Sequence, residues 1–218
     1  NLFNLNNIKL SQKFKIINFK NIEAKFYNKD KFLNDILIKN EKNNIKLVSK
    51  KFDISRNIER SLKDSNKYNF FDIFQNLNST IFIDIDAAKL DEKHNLNNIK
   101  GKIFLKKNTV DKANISAKFP DGQKFIYTKE NSNGKKVTTI YSDIAKPFVK
   151  KFKFIKGFEG GKLDYTSTEI KKGLSNSELR IYDFKLQNMP VLTKLLSLAS
   201  LQGIADLATG EGIRFNEF

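Results

Sequence analysis

The chain has 218 residues, a formal net charge of +16, 39% hydrophobic and 29% charged residues, 10 glycines and 3 prolines. That is enough length and apolar content to bury a sizeable core, and it excludes a disordered or low-complexity segment. With no cysteine at all, a disulfide framework and a thiolate metal site are excluded as well.

The first third alternates. FKIINF around Phe14, AKFY around Phe26, FLNDILIK from Phe32 and NIKLVSKKFDI from Asn44 are separated by polar clusters such as YNKDK and KNEKNN. Short Ile, Phe and Val runs with such punctuation predict antiparallel strands joined by hairpins. In DISRNIERSLKDS, Ile54, Ile58 and Leu62 recur four apart behind Ser55 as N-cap, which predicts a short amphipathic helix.

From Phe70, FFDIFQNL leads into STIFIDIDAAKL, where Ile81, Ile83 and Ile85 share one strand face and Phe82, Asp84 and Asp86 the other. LNNIKGKIFLKKN, DKANISAKFP, GQKFIYTKE and KKVTTIYSD follow at strand length, with Asp121-Gly122 and Asn133-Gly134 as hairpin turns. In DKANISAKFP the apolar face is Ile115, Ala117 and Phe119. Ile144, Phe148 and Phe152 recur four apart, so a second short helix is predicted from near Ser142, with Pro147 in its first turn.

Gly160-Gly161 reads as a turn opening FEGGKLDYTSTEI, and NSELRIYDFKLQN is the next strand. Then Leu and Ala crowd together between Pro190 and Gly210, predicting a helix that carries Leu192, Leu195, Leu196, Ala199 and Leu207. Its length approaches that of a membrane span. Lys194, Asp206, several hydroxyl residues and Gly203 argue instead for packing against the end or the greasy face of the sheet. GEGIRFNEF returns to a strand. The expected object is a single mainly-β segment over 1–218, a long antiparallel meander sheet curled into an open groove, with two short helices and one Leu-rich helix. Starting at Asn1 and ending at Phe218 within a predicted strand, it is expected to be a piece of a longer protein.

The inventory for chemistry is thin. His94, the sole histidine, falls in the polar DEKHNLNN turn, read as an exposed loop residue with no frame for a catalytic triad. Asp84 and Asp86 supply too few oxygen ligands for a divalent cation and read as the polar side of a strand with Lys89 nearby. Gly157 and Gly160-Gly161 are followed by no Lys-Ser pair and no helix, so they form no phosphate loop. No catalytic residue, metal site or cofactor is expected. The lysines are spread along strands, in IKLVSKKF, GKIFLKKN and FVKKFKFIKG, with no Arg-rich helix or aromatic RNA-binding motif, so no nucleic-acid partner is expected either.

The last sixty residues carry a pattern: a Gly-Gly turn and strand, a second strand ending at Asn188 and Pro190, LSLASLQG, and GEGIRF. The positions are Gly160, Gly161, Leu163, Phe184, Asn188, Pro190, Leu195, Leu196, Ala199, Ser200, Leu201, Gly203, Gly210, Gly212, Ile213 and Phe215, with Met189 where alanine is usual. Over 157–218 the chain resembles the C-terminal domain of the AsmA-like family of Gram-negative bacteria, which includes TamB-type and YhdP-type proteins. The resemblance implies a repeating β-groove whose apolar floor carries phospholipid acyl chains. It also implies a periplasmic bridge between inner and outer membranes, anchored by a segment outside this chain and serving outer-membrane biogenesis. A second implication, from the TamB-type branch, is assembly of outer-membrane proteins. On the groove reading the lipid-facing residues are Ile81, Ile83, Ile85, Ile115, Ala117 and Phe119.

Overall fold

A computed structural model describes residues 1–42, 44–55, 70–149, 158–171, 174–186 and 213–217. The strands are β1 (Leu2–Asn6), β2 (Lys9–Leu10), β3 (Ile16–Asn18), β4 (Asn21–Tyr27), β5 (Leu33–Glu41), β6 (Asn44–Asp53), β7 (Ser79–Lys89), β8 (Asn95–Lys106), β9 (Thr109–Lys118), β10 (Lys124–Ser132), β11 (Lys135–Ser142), β12 (Phe158–Lys171), β13 (Leu174–Leu186) and β14 (Ile213–Glu217). Twelve of them form one sheet in the order β1-β4-β5-β6-β7-β8-β9-β10-β11-β12-β13-β14, while β2 and β3 make a separate hairpin. The order is linear and does not close, so β1 and β14 are its two edges.

The all-antiparallel expectation needs correction at one seam. β6 and β7 pair in parallel, Leu47 beside Ile83 and Ser49 beside Ile85. A parallel neighbour needs a crossover rather than a tight turn, and residues 54–78 supply one. That connection includes a 3-10 turn at Phe70–Ile73 and Phe74, which bridges back to Ile16. The N-terminal run is no simple meander either, because β1 skips the β2–β3 hairpin to pair with β4. Phe14, expected in a strand, sits in a turn at φ 56 with 85% of its surface exposed.

The two predicted turn signals act as hairpins, each by its own geometry. In Phe119-Pro120-Asp121-Gly122 the Gly122 amide donates to the Phe119 carbonyl at 3.0 Å, and the Phe119 amide to Gln123 at 2.8 Å. With Gly122 at φ 88, this is a type I turn followed by a left-handed residue. Asn133 and Gly134 both have positive φ, 50 and 76, joining β10 to β11 as a two-residue type I′ turn does.

Gly160-Gly161 is not a turn. Both residues lie inside β12 at φ 68 and 80, and Asp183 on the facing strand has φ 52. The kink points the Gly161 carbonyl at the Ala145 amide, 2.8 Å away. Ala145 leads into α1 (Lys146–Val149), a single helical turn. The predicted helix therefore starts later than Ser142, which ends β11 and hydrogen-bonds Ile144 through its hydroxyl. Pro147 lies in that first turn, as expected. Phe152, the helix predicted after Ser55, and the one carrying Leu192, Leu195, Leu196, Ala199 and Leu207 lie outside the described residues. No helix among the described residues is long and apolar enough to cross a membrane.

The core sits on one face of the sheet in three clusters. Phe19, Ile45, Phe74, Ile81 and Leu105 gather at one end of the central strands, with the β2–β3 hairpin packed on them through Ile8 and Ile16. Ile85, Ala88, Leu90, Leu96, Ile99, Ala117 and Phe119 gather at the other end. Ala145, Val149, Phe158, Leu163, Ile181 and Phe184 form the third, under α1.

Candidate functional site: an apolar row across the sheet

The strand register aligns one residue from each strand into a continuous line. Leu5 pairs with Ile22, Ile22 with Ile38, Ile38 with Leu47, and Leu47 with Ile83. Ile83 faces Gly101, then Ile115, Tyr127, Ile140, Tyr165 and Leu179 follow in turn. At about 4.8 Å between strands, eleven strands give a row roughly 48 Å long. Every member except Gly101 has an apolar or aromatic side chain.

Burial distinguishes this line from its neighbours. From Ile22 to Leu179 each member is half-buried, whereas the flanking rows in the middle of the sheet are buried: Ile45, Ile81 and Ala113 on one side, Ser49, Ile85 and Ala117 on the other. Leu47 and Ile83 pack against both the cluster around Ile81 and the cluster around Ile85. The row is thus the seam between two cores, partly open to solvent. Gly101 marks its tightest point: a Cβ there would lie 2.3 Å from the Asn114 carbonyl and 2.8 Å from Ile115 Cα.

The residues predicted from sequence fall on this face and divide in two. Ile81, Ile85, Ala117 and Phe119 are buried at 6%, 6%, 5% and 1% exposure. Ile83 and Ile115 are half-buried members of the row itself. The structure brings Ile85, Ala117 and Phe119 into one cluster with Ile83 and Ile115 packed on it, and places Ile81 in another. Tyr127, Ile140, Tyr165 and Leu179, and Ile22, Ile38 and Leu47 on the other side, were missed. Each stands in an alternating run, but only the register shows that they line up.

The opposite face is polar with aromatic patches. Asp84 and Asp86 are exposed there, and Asp84 stands opposite Lys100 in the register. Lys89 sits over the Phe32 ring at 5.7 Å rather than beside the aspartates' oxygens, and Lys102 over Phe82 at 5.3 Å. Among the described residues no three His, Cys, Asp or Glu side chains gather as a metal site would require. A hollow of about 330 Å³ lies on this face over β10–β13, bordered by Ile126, Tyr141, Asp164 and Arg180. Within it Arg180 pairs with Glu178 at 2.6 Å.

His94 is not an exposed loop residue. Its ring Nδ1 lies 2.8 Å from Asp91 Oδ1, and both side chains are mostly shielded from solvent. Burial opposes ionisation of Asp91, but the Lys93 amide, the His94 ring and the His94 amide outweigh it and hold the carboxyl below its usual value. The arrangement closes the β7–β8 loop as a local cap.

No family model, curated protein or solved structure matches this chain.

Proposed function

We propose that this chain is a non-enzymatic lipid-binding segment in which acyl chains lie along the row from Ile22 to Leu179. The observation that carries this reading is the row itself: a half-buried apolar seam, roughly 43 Å long at strand spacing, on a sheet that does not close. Each acyl CH₂ withdrawn from water contributes about 0.8 kcal/mol, so a strip with no interruption larger than one glycine offers sliding contact with few barriers. In this reading the sheet is a groove of the AsmA-like kind, set in the periplasm, anchored to the inner membrane by a segment outside the chain, and passing phospholipid towards the outer membrane.

The test is mass spectrometry of gently purified protein. Phospholipid should co-purify, and Ile83→Glu or Ile115→Glu should abolish it while the far-UV circular dichroism stays that of a sheet. Lipid-free wild-type protein would sink the reading. Ile85 is a poor probe, because a charge at a 6% exposed core position unfolds the sheet for unrelated reasons.

One observation favours a second reading, an assembly factor that offers a strand edge to outer-membrane proteins. Edge strand β1, LFNLN, has no charged residue, Pro or Gly to blunt it, and Leu2, Phe3 and Leu5 are 51%, 62% and 60% exposed. Site-specific crosslinking from Asn4 that captures β-barrel precursors, with no lipid co-purifying, would favour it over the first.

A further inference from the structure

The inner face of the sheet changes chemistry between β9 and β10. The register line through Ile81, Ile103 and Ala113 continues as Lys129, Thr138, Ser167 and Ser177. An apolar line becomes one ammonium and three hydroxyls. The adjoining line, Tyr127, Ile140, Tyr165 and Leu179, stays apolar apart from its phenol tips, and the two are stitched together. Tyr165 donates its hydroxyl hydrogen to Ser177 at 3.2 Å, and Ser177 donates to Ser167 at 2.9 Å.

Lys129 stands at the corner where the change occurs, half-buried, with Ala113 on one side and Thr138 on the other. Its diagonal neighbour Lys136 is held by Asp111 at 3.4 Å, whereas Lys129 makes no ion pair among the described residues. Burial holds its ammonium below the usual lysine value; Lys136 acts in the same direction, and Glu169 and Asp111 act against it. A half-buried cation beside an apolar strip is short of an anion.

We propose that Lys129, with the Thr138 and Ser167 hydroxyls, binds the phosphate of an amphiphile whose single acyl chain lies along Tyr127, Ile140, Tyr165 and Leu179. The proposal rests on the acyl-binding reading above and adds the headgroup class and its place. An ammonium and two hydroxyls are hydrogen-bond donors of the kind a phosphate takes up. The three strand intervals from β10 to β13 span about 14 Å, close to half of a hydrocarbon core about 30 Å thick, the depth of one leaflet. Glu169, further along β12 on the same face, disfavours a dianion, so a singly charged phosphodiester fits better than a phosphomonoester.

The test titrates the protein with dodecylphosphocholine below its micelle concentration, with uncharged dodecyl maltoside, and with inorganic phosphate, following tyrosine fluorescence. Lys129→Gln should weaken dodecylphosphocholine binding about tenfold or more, the scale of one charged hydrogen bond. Maltoside binding should not change, Lys129→Arg should keep most of the phosphocholine affinity, and Lys136→Gln should have little effect. Equal loss for both amphiphiles, no loss on Lys129→Gln, or inorganic phosphate binding as tightly as dodecylphosphocholine overturns the headgroup site. If neither amphiphile binds wild-type protein, the acyl strip itself fails and this site falls with it.

Discussion

Replacing Gly161 with alanine tests the kink in β12 that meets α1. Two effects add. At φ +80 an alanine is in a left-handed conformation, which costs about 1–2 kcal/mol. The new Cβ would also lie 2.9 Å from Phe184 Cβ, 3.0 Å from Phe158 Cζ and 3.3 Å from the Tyr182 carbonyl. Phe158 and Phe184 are buried and stacked at 5.1 Å between ring centroids, so they have no room to yield, and overpacking of this kind costs about 1–3 kcal/mol. Gly160 is the internal control: at φ +68 its Cβ would meet only the Asp183 carbonyl, at an ordinary 3.6 Å. Loss of glycine's freedom in the unfolded chain offsets roughly 0.4–1 kcal/mol in both variants alike. Gly161→Ala should therefore destabilise by about 1–3 kcal/mol more than Gly160→Ala. Urea unfolding followed by circular dichroism, with m-values compared, measures it. Equal midpoints for the two variants would refute the packing argument and leave only the backbone one.

The other predictions are shorter. Gly101→Ala should lower the urea midpoint by the equivalent of about 1–3 kcal/mol, because the added carbon meets the Asn114 backbone at 2.3 Å, which no side-chain rotation relieves; an unchanged midpoint would contradict the register given for β8 and β9. Tyr141 donates its hydroxyl hydrogen to Asp143 at 2.5 Å, and that bond, with burial and the Asp143 charge behind it, raises its pKa from 10.0 to about 12. Since the folded value is the higher, the contribution to stability is complete below the ordinary tyrosine value and disappears as pH rises through about 12. Ultraviolet titration should show one late-ionising tyrosine that returns towards the ordinary range in Asp143→Asn; no change in that variant would reject the assignment.

Much of the strand content was legible from short runs in which core-facing and solvent-facing residues alternate, as in Ile81, Ile83 and Ile85 against Asp84 and Asp86. Partner choice was not. Nothing in NIKLVSKKFDI or STIFIDIDAAKL distinguishes a parallel from an antiparallel neighbour, and the intervening crossover decides it. Gly160-Gly161 read as a turn because paired glycines usually reverse a chain, yet here positive φ serves a kink within a strand whose register runs on past it. His94 read as exposed because its neighbours are polar, although Asp91 folds over it. Most of the candidate row was hidden for a deeper reason. Tyr127 and Leu179 are ordinary members of their own strands, and only three intervening pairings put them in line.

The unclosed order of the strands sets a rule for size. In a barrel, strand number, tilt and stagger fix one another, so a hairpin cannot be gained or lost without rebuilding the whole. This ribbon obeys no such constraint from β7 onwards, where each strand hydrogen-bonds only to its immediate neighbours in sequence. Duplicating a hairpin such as β10–β11 would lengthen the apolar seam by about 10 Å and disturb the join and the seat of α1 beside it, while the strands on either side keep their partners.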